Sequence, residues 1–289
     1  PAQIRAAYGL PALPASTTGL TAAQAAQLGA GQTIYIVNAR HNPNVVAELA
    51  AFNAKFGLPT CSSRTLTASS ALPLAAASSS GCELVVAYSA GNALSSTAPA
   101  YDSGWATEIA LDVQWAHATA PLARLVLIEA PDAGVASLTG AVSLANRMGA
   151  GVVSMSFGAN EGSWTASYDS VFSGAGMSYV AATGDNGAAV SWPSVSTKVL
   201  AVGGTTLSYT GSGARSETTW SGTGGGVSAY TALPSYQSGS IGGYARRAVA
   251  DVAFNADPNS GQYVATIAPG TTAPRWISAG GTSLSTPQW

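Results

Sequence analysis

The amino-acid sequence predicts an α/β fold with a mostly parallel central sheet and helices on both faces. Three observations carry this prediction. From Thr33 to Gly204, short apolar runs rich in β-branched residues alternate with alanine-rich amphipathic stretches. Such alternation builds parallel strands joined by right-handed helical crossovers. Hydrophobic residues make up 47% of the 289 positions, enough to bury most of the surface an unfolded chain exposes, and a chain of this length reads as one domain, 1–289. Glycine-rich segments follow several strands, as suits loops that bring backbone close to a ligand beyond the carboxyl ends of a parallel sheet.

Taken in order, the pattern gives strand Thr33–Val37, helix Pro43–Phe56, strand Glu83–Tyr88, helix Ser103–Ala120, strand Arg124–Glu129 and helix Val135–Met148. Strand Val152–Phe157, helix Trp164–Phe172 and strands Ser178–Ala182 and Val199–Val202 follow. Beyond Gly204 the pattern is irregular: Gly224-Gly225-Gly226, Asp251-Val-Ala, Asp257-Pro258, a hairpin-like stretch around Gly261, and Gly280-Gly281-Thr282-Ser283.

Charged residues account for only 8% of the chain, against roughly 25% in an average soluble protein. With 11 Lys and Arg, 13 Asp and Glu and two His, protonating the carboxylates leaves little cationic self-repulsion and few ion pairs to break, so the composition suits acid. No Lys/Arg cluster and no apolar run of membrane length occurs, which argues against nucleic-acid and membrane partners. Beginning at Pro1 without a signal peptide, the sequence reads as a processed or trimmed form. Cys61 and Cys82 flank the Ser/Ala/Leu-rich stretch Ser62–Gly81. A disulfide between them would staple a surface loop and place the chain in an oxidising, extracellular setting; with no His or further Cys beside them in sequence, a metal site is disfavoured.

Three motifs can carry chemistry. In Gly281-Thr282-Ser283-Leu284-Ser285-Thr286-Pro287, a serine follows a flexible turn and precedes a helix start. That suits a nucleophile beside free N–H groups, and equally an ordinary helix cap. Glu108 and Asp112 lie four apart in a predicted helix, hence on one face about a turn from each other, where two carboxyls titrate as a coupled unit. An exposed acidic pair would be a solvated face, but Trp105, Ile109, Leu111, Val113 and Trp115 surround this one. Asp185, in Thr183-Gly184-Asp185-Asn186-Gly187, follows a predicted strand. Its glycine neighbours fit a turn, and a protonated aspartic acid there could donate to an oxyanion.

The serine segment resembles the nucleophile segment of subtilisin-type peptidases, yet neither Arg40-His41-Asn42 nor Ala116-His117-Ala118 matches a subtilisin histidine segment. Glu108, Asp112, Asp185 and Ser283 together resemble the sedolisin, or serine-carboxyl peptidase, family and its kumamolisin-like members. Gln32–Val37, Ser154-Met155-Ser156-Phe157-Gly158, Val202–Leu207, Gly224–Ser228, Asp251-Val-Ala and Asp257-Pro258 extend the likeness along the chain.

The resemblance implies a subtilisin-like fold and a secreted endopeptidase working in acid. Ser283 would be the nucleophile, Glu108 its general base, Asp112 the residue orienting Glu108, and Asp185 the oxyanion donor. Reference carboxyl pKa values of roughly 4 make such a base serviceable at about pH 3 to 5. Protein or peptide substrates are expected to pair along Ser154, Met155, Ser156, Phe157 and Gly158, facing Gly224, Gly225 and Gly226. The family also implies an inhibitory N-terminal propeptide, a monomer, and a calcium ion whose ligands lie beyond Trp289. Three departures stand out: Phe157 occupies a place where relatives often carry Trp, Asn38 is near an acidic residue that extends the proton relay in some members, and the sequence stops at Trp289, six residues after Ser283, where relatives continue, so the domain reads as truncated after the nucleophile segment. The competing readings are a subtilisin-type hydrolase using His117 as base, and a non-catalytic binding relative.

Overall fold

A computed structural model describes residues 1–289. Helices α1 (Ala2–Ala7) and α2 (Ala22–Gln27) lead into strand β1 (Thr33–Ala39), helix α3 (Val45–Phe56) and strands β2 (Ser62–Thr65), β3 (Glu83–Ala90) and β4 (Ala93–Ser95). Helix α4 (Ser103–Thr119), strand β5 (Arg124–Ala130), helix α5 (Val135–Met148), strands β6 (Gly151–Met155) and β7 (Ala159–Asn160), and the short helix α6 (Thr165–Tyr168) come next. Strands β8 (Met177–Ala182), β9 (Ser191–Trp192), β10 (Leu200–Ser208), β11 (Ser216–Thr219), β12 (Gly226–Ala232), β13 (Arg246–Val249), β14 (Val252–Asn255), β15 (Gln262–Thr266) and β16 (Arg275–Ala279) precede helix α7 (Thr282–Ser285).

Ten strands form one sheet, ordered β11-β10-β8-β6-β1-β5-β3-β2, with β14 and β4 attached at its sides. The pairings among β2, β3, β5, β1, β6, β8 and β10 are all parallel. The chain first builds outward from β1 and returns through β3 and β5; it then crosses to β6 and builds the other half. The winding thus reverses between β1 and β6, where a doubly wound sheet opens a crevice at its carboxyl edge.

Alternation along the strands assigns the two faces. Tyr35, Val37, Val85, Ala87, Val126, Ile128, Val153 and Met155 point to the layer holding α5. Ile36, Leu84, Val86, Leu125 and Leu127 point to α3 and α4, as period-2 strands require. Helix α4 is buried on nearly every side because a further cluster, with Val264, Ala265 and Leu284, covers its outer face. An all-round apolar helix is a core helix, so Asp112 is carried inside and Glu108 to the border of the core.

Several expectations are corrected. Ser62–Gly81 is not wholly a loop: Ser62–Thr65 adds the edge strand β2 beside β3. The disulfide Cys61–Cys82 is formed. The Val199–Val202 run extends to Ser208 because β11 and β14 pair with it. The hairpin is β15–β16, whose ladder starts at Gln262↔Ala279, so Gly261 lies before it and the turn falls at 267–274. Helix Trp164–Phe172 shortens to α6 followed by a 3₁₀ turn at Asp169–Val171. No helix is long and apolar enough to cross a membrane.

Candidate active site

Asp112, central in α4 and fully buried, is held by the ends of the two strands that flank the winding reversal. Asn38, in the last turn of pleat of β1, donates from Nδ2 to Asp112 Oδ2 at 2.9 Å, and Ser156, just past β6, donates from Oγ to Asp112 Oδ1 at 2.8 Å. Asn38 is an amide that gives a proton but cannot relay one, so it adds no third carboxyl beside Asp112.

One turn earlier, Glu108 borders a cleft of about 260 Å³ lined by Asp102, Gly104, Trp105, Glu108 and Ser156. Ser283 stands beside Glu108, and its hydroxyl favours the charged form of that carboxyl. Burial acts more strongly in the other direction, and together with the nearby Asp185 charge raises the Glu108 pKa to about 7. Asp112 is raised well above its ordinary range by burial first and by the Glu108 charge second, against the donors Asn38 and Ser156. Reference values near 4 therefore do not describe this pair; desolvation of two neighbouring carboxyls is the reason. Glu108 Oε1 is sealed from solvent and has no partner.

Asp185 lies in the turn after β8. Its Oδ1 accepts from the Thr282 backbone N–H at 2.8 Å and from the Thr282 hydroxyl at 2.9 Å, and that hydroxyl accepts from the Gly184 N–H at 3.0 Å. Thr282 locks the aspartate turn to the serine turn, a role the sequence did not announce. Gly281 has φ +100°, and a Cβ there would stand 2.6 Å from Asp185 Oδ2. Only glycine permits this approach.

The four central residues are thus tied to one crevice, and both histidines are engaged elsewhere. His117 is fully buried at the far end of α4, nine residues or about 13 Å of helix beyond Glu108. Its ring lies 3.5 Å from both disulfide sulfurs, and Nε2 donates to Pro59 O at 3.0 Å. Burial lowers its pKa to about 4. The reading of His117 as base fails on this placement. His41 Nδ1 sits 2.6 Å from Glu129 Oε2.

The expected substrate strand is only partly available. Ser154 and Met155 are buried and paired on both sides, to Ile36 and Val37 of β1 and to Val180 and Ala181 of β8, so they offer no edge. Phe157 packs in the core with Phe172 and Trp192. Ser156 acts through its hydroxyl on Asp112, and Gly158 packs on Ser191. Gly224 lies against the Asp185 turn, donating to Gly184 O at 2.6 Å, and a Cβ there would come within 2.0 Å of Thr183 O. Gly225 donates to Ala189 O, and Gly226 opens the ribbon β12–β13. His117, distant in sequence, is brought beside Cys61 and Cys82. Both sulfurs are taken up in the disulfide, and sulfur and imidazole do not suit calcium, so this grouping does not fit that ion.

A family model described as the subtilase family, Peptidase S8, matches residues 103–288. The chain belongs to this family. Its similar relatives assign it to the sedolisin branch with a subtilisin-like fold. Kumamolisin of Bacillus sp. (strain MN-32) is 36% identical over 189 residues, which cover 54% of this chain and 34% of that protein. Sedolisin of Pseudomonas sp. (strain 101) is 39% identical over 109 residues, covering 34% of this chain and 18% of that protein. The matched part of the sedolisin-family chain thus spans about a third or less of these relatives. The solved structure of Pseudomonas sedolisin, a serine-carboxyl proteinase complexed with two molecules of pseudo-iodotyrostatin, superposes with a TM-score of 0.73 at 24% identity, over 99% of this chain and 77% of that one.

Proposed function

We propose that this chain carries the catalytic centre of a secreted, acid-acting serine endopeptidase with a Ser283-Glu108-Asp112 set. The observation that carries the reading is Ser283 set beside Glu108, one helix turn from the fully buried Asp112, with both histidines bound elsewhere. Ser283 Oγ attacks the scissile carbonyl carbon while Glu108 takes its proton. The resulting oxyanion is met by the Ser283 N–H, in a helix turn whose first N–H groups lack intrahelical partners, and by Asp185. Since Thr282 commits Oδ1 of Asp185 as an acceptor, the donated proton resides on Oδ2. Collapse breaks the C–N bond, the leaving amine recovers the proton from Glu108, and water repeats the sequence on the acyl-enzyme.

The working form therefore holds a proton on Asp185 and one shared within the Glu108–Asp112 pair, leaving one carboxylate to accept from Ser283. Burial raises both carboxyls of the pair, so loss of the shared proton as pH rises sets the upper limit of the working range. Protein or peptide substrates, a removable N-terminal propeptide, a monomeric state and a calcium ion bound outside residues 1–289 belong to the same reading. The test is the pH profile of protein cleavage by the complete protein beside its Ser283→Ala variant. Serine-dependent cleavage with an acid optimum is expected; its absence across roughly pH 2 to 6 refutes the proposal.

A further inference from the structure

The segment following β1 grips α4 twice. Asn38 holds Asp112; four residues on, Asn42, only 2% exposed, donates from Nδ2 to Ala106 O at 3.0 Å, in the first turn of the same helix and two residues before Glu108. Between the two grips stands Arg40 at φ +64°, the one non-glycine residue in the left-handed region. Such a conformation persists where the surroundings over-determine it, and here both ends of the turn are bonded to α4.

Every polar atom of Asn42 is committed. Its second Nδ2 proton goes to Glu48 Oε2 at 2.6 Å, its Oδ1 accepts from the Asn44 N–H at 2.9 Å, and its own N–H donates to Glu129 Oε1 at 2.9 Å. Glu48 Oε1 in turn accepts from the Ile267 N–H at 2.7 Å, and Asn44 Nδ2 donates to Ile267 O at 2.8 Å. Glu48 and Glu129 are almost fully buried. The Asn42 amide thus fastens the first turn of α4 to Glu48 of α3, while its backbone N–H reaches the end of β5, and Glu48 and Asn44 carry the link on to Ile267 after β15. The other anchor of that helix end is the cap from Asp102 Oδ1 to the Trp105 N–H, which is exposed.

We propose that Asn42 is a positioning residue for the Glu108 carboxyl: by pinning the Ala106 carbonyl to the buried Glu48–Glu129 network, it fixes the helix turn that presents Glu108 to Ser283. The inference rests on the serine-carboxyl reading of the site. It acts through backbone placement and touches no substrate.

The experiment compares the complete protein with Asn42→Ala, and with Asn42→Asp, which keeps the shape and the Asn44 contact but offers at most one of the two donors. Leu138→Ala, in the α5 layer, is the control for loss of stability alone. Two quantities are read: kcat and KM on a peptide substrate, and the Glu108 titration by infrared difference, assigned with Glu108→Gln. For both Asn42 variants, kcat falls about 10- to 100-fold with KM within about twofold, and the Glu108 midpoint drops by about one pH unit or more as water reaches the loosened turn. Leu138→Ala lowers Tm and leaves the midpoint in place. An unchanged Glu108 midpoint in the folded Asn42 variants, or an equal shift in Leu138→Ala, overturns the inference. A wild-type chain that cleaves nothing refutes the peptidase reading, while the midpoint comparison still decides positioning.

Discussion

Replacing Glu108 with Gln in a Ser283→Ala background, which removes self-cleavage, should stabilise the chain near neutrality and leave it almost unchanged in acid. The sign follows from burial. The Glu108 pKa is raised from 4.5 to about 7 in the folded chain. Its contribution to stability is therefore fully present below about pH 4.5 and lost as pH rises through about 7. A rise of about 2.5 units at about 1.4 kcal/mol each gives about 3 kcal/mol, an upper figure because Glu108 borders the cleft. Asp112, raised partly by the Glu108 charge, adds in the same direction. His117 works oppositely: with its pKa lowered to about 4, it destabilises the fold as pH falls from about 6.5. It is present in both proteins and subtracts out. At about 2 °C per kcal/mol for a chain of this size, Glu108→Gln should melt about 6 °C higher at pH 8 and within about 1 °C at pH 4. Calorimetry at the two pH values measures this. A Tm difference independent of pH would refute the buried, proton-sharing account of the pair.

Other outcomes test the remaining contacts. Gly281→Ala would drive a methyl to within 2.6 Å of Asp185 Oδ2, and kcat should fall about 100-fold as the oxyanion donor is displaced. Ser156→Ala deletes a donor to the Asp112 carboxyl, so the acid limb of the pH–rate profile should move to higher pH. His117→Ala leaves the reacting groups in place; cleavage in acid should survive in the folded fraction, with loss confined to stability. Removing the Cys61–Cys82 bridge, which spans 21 positions, should cost about 3 kcal/mol in denaturant titrations.

The periodic elements were legible because their causes are local. Strands β1, β3, β5 and β8 and helices α3, α4 and α5 begin and end within about two residues of the sequence reading, as hydrophobic period and cap residues allow. What escaped depended on partners distant in sequence. The extension of β10 to Ser208 exists because β11 and β14 pair with it, and β2 because β3 supplies a ladder. At the site, Ser283, Glu108, Asp112 and Asp185 were legible through a family likeness, not through spacing. Thr282, Asn42 and the hydroxyl of Ser156 were not, since a threonine in a turn or a serine after a strand is locally unremarkable. The only available signal was that Asn38 and Ser156 end neighbouring central strands, and that adjacency is a property of topology.

The contacts that assemble the crevice join residues far apart in sequence: 74 positions between Asn38 and Asp112, 97 between Thr282 and Asp185, and 219 between Ile267 and Glu48. Closing such loops costs entropy before any contact rewards it, and chains dominated by distant pairings fold slowly. Glu108, Asp112, Asp185 and Ser283 should therefore come together only as these distant segments meet. Refolding should restore global secondary structure well before it restores the serine–carboxyl geometry, so the competence to cut appears as a late event, after most of the surface vulnerable to cutting is already hidden.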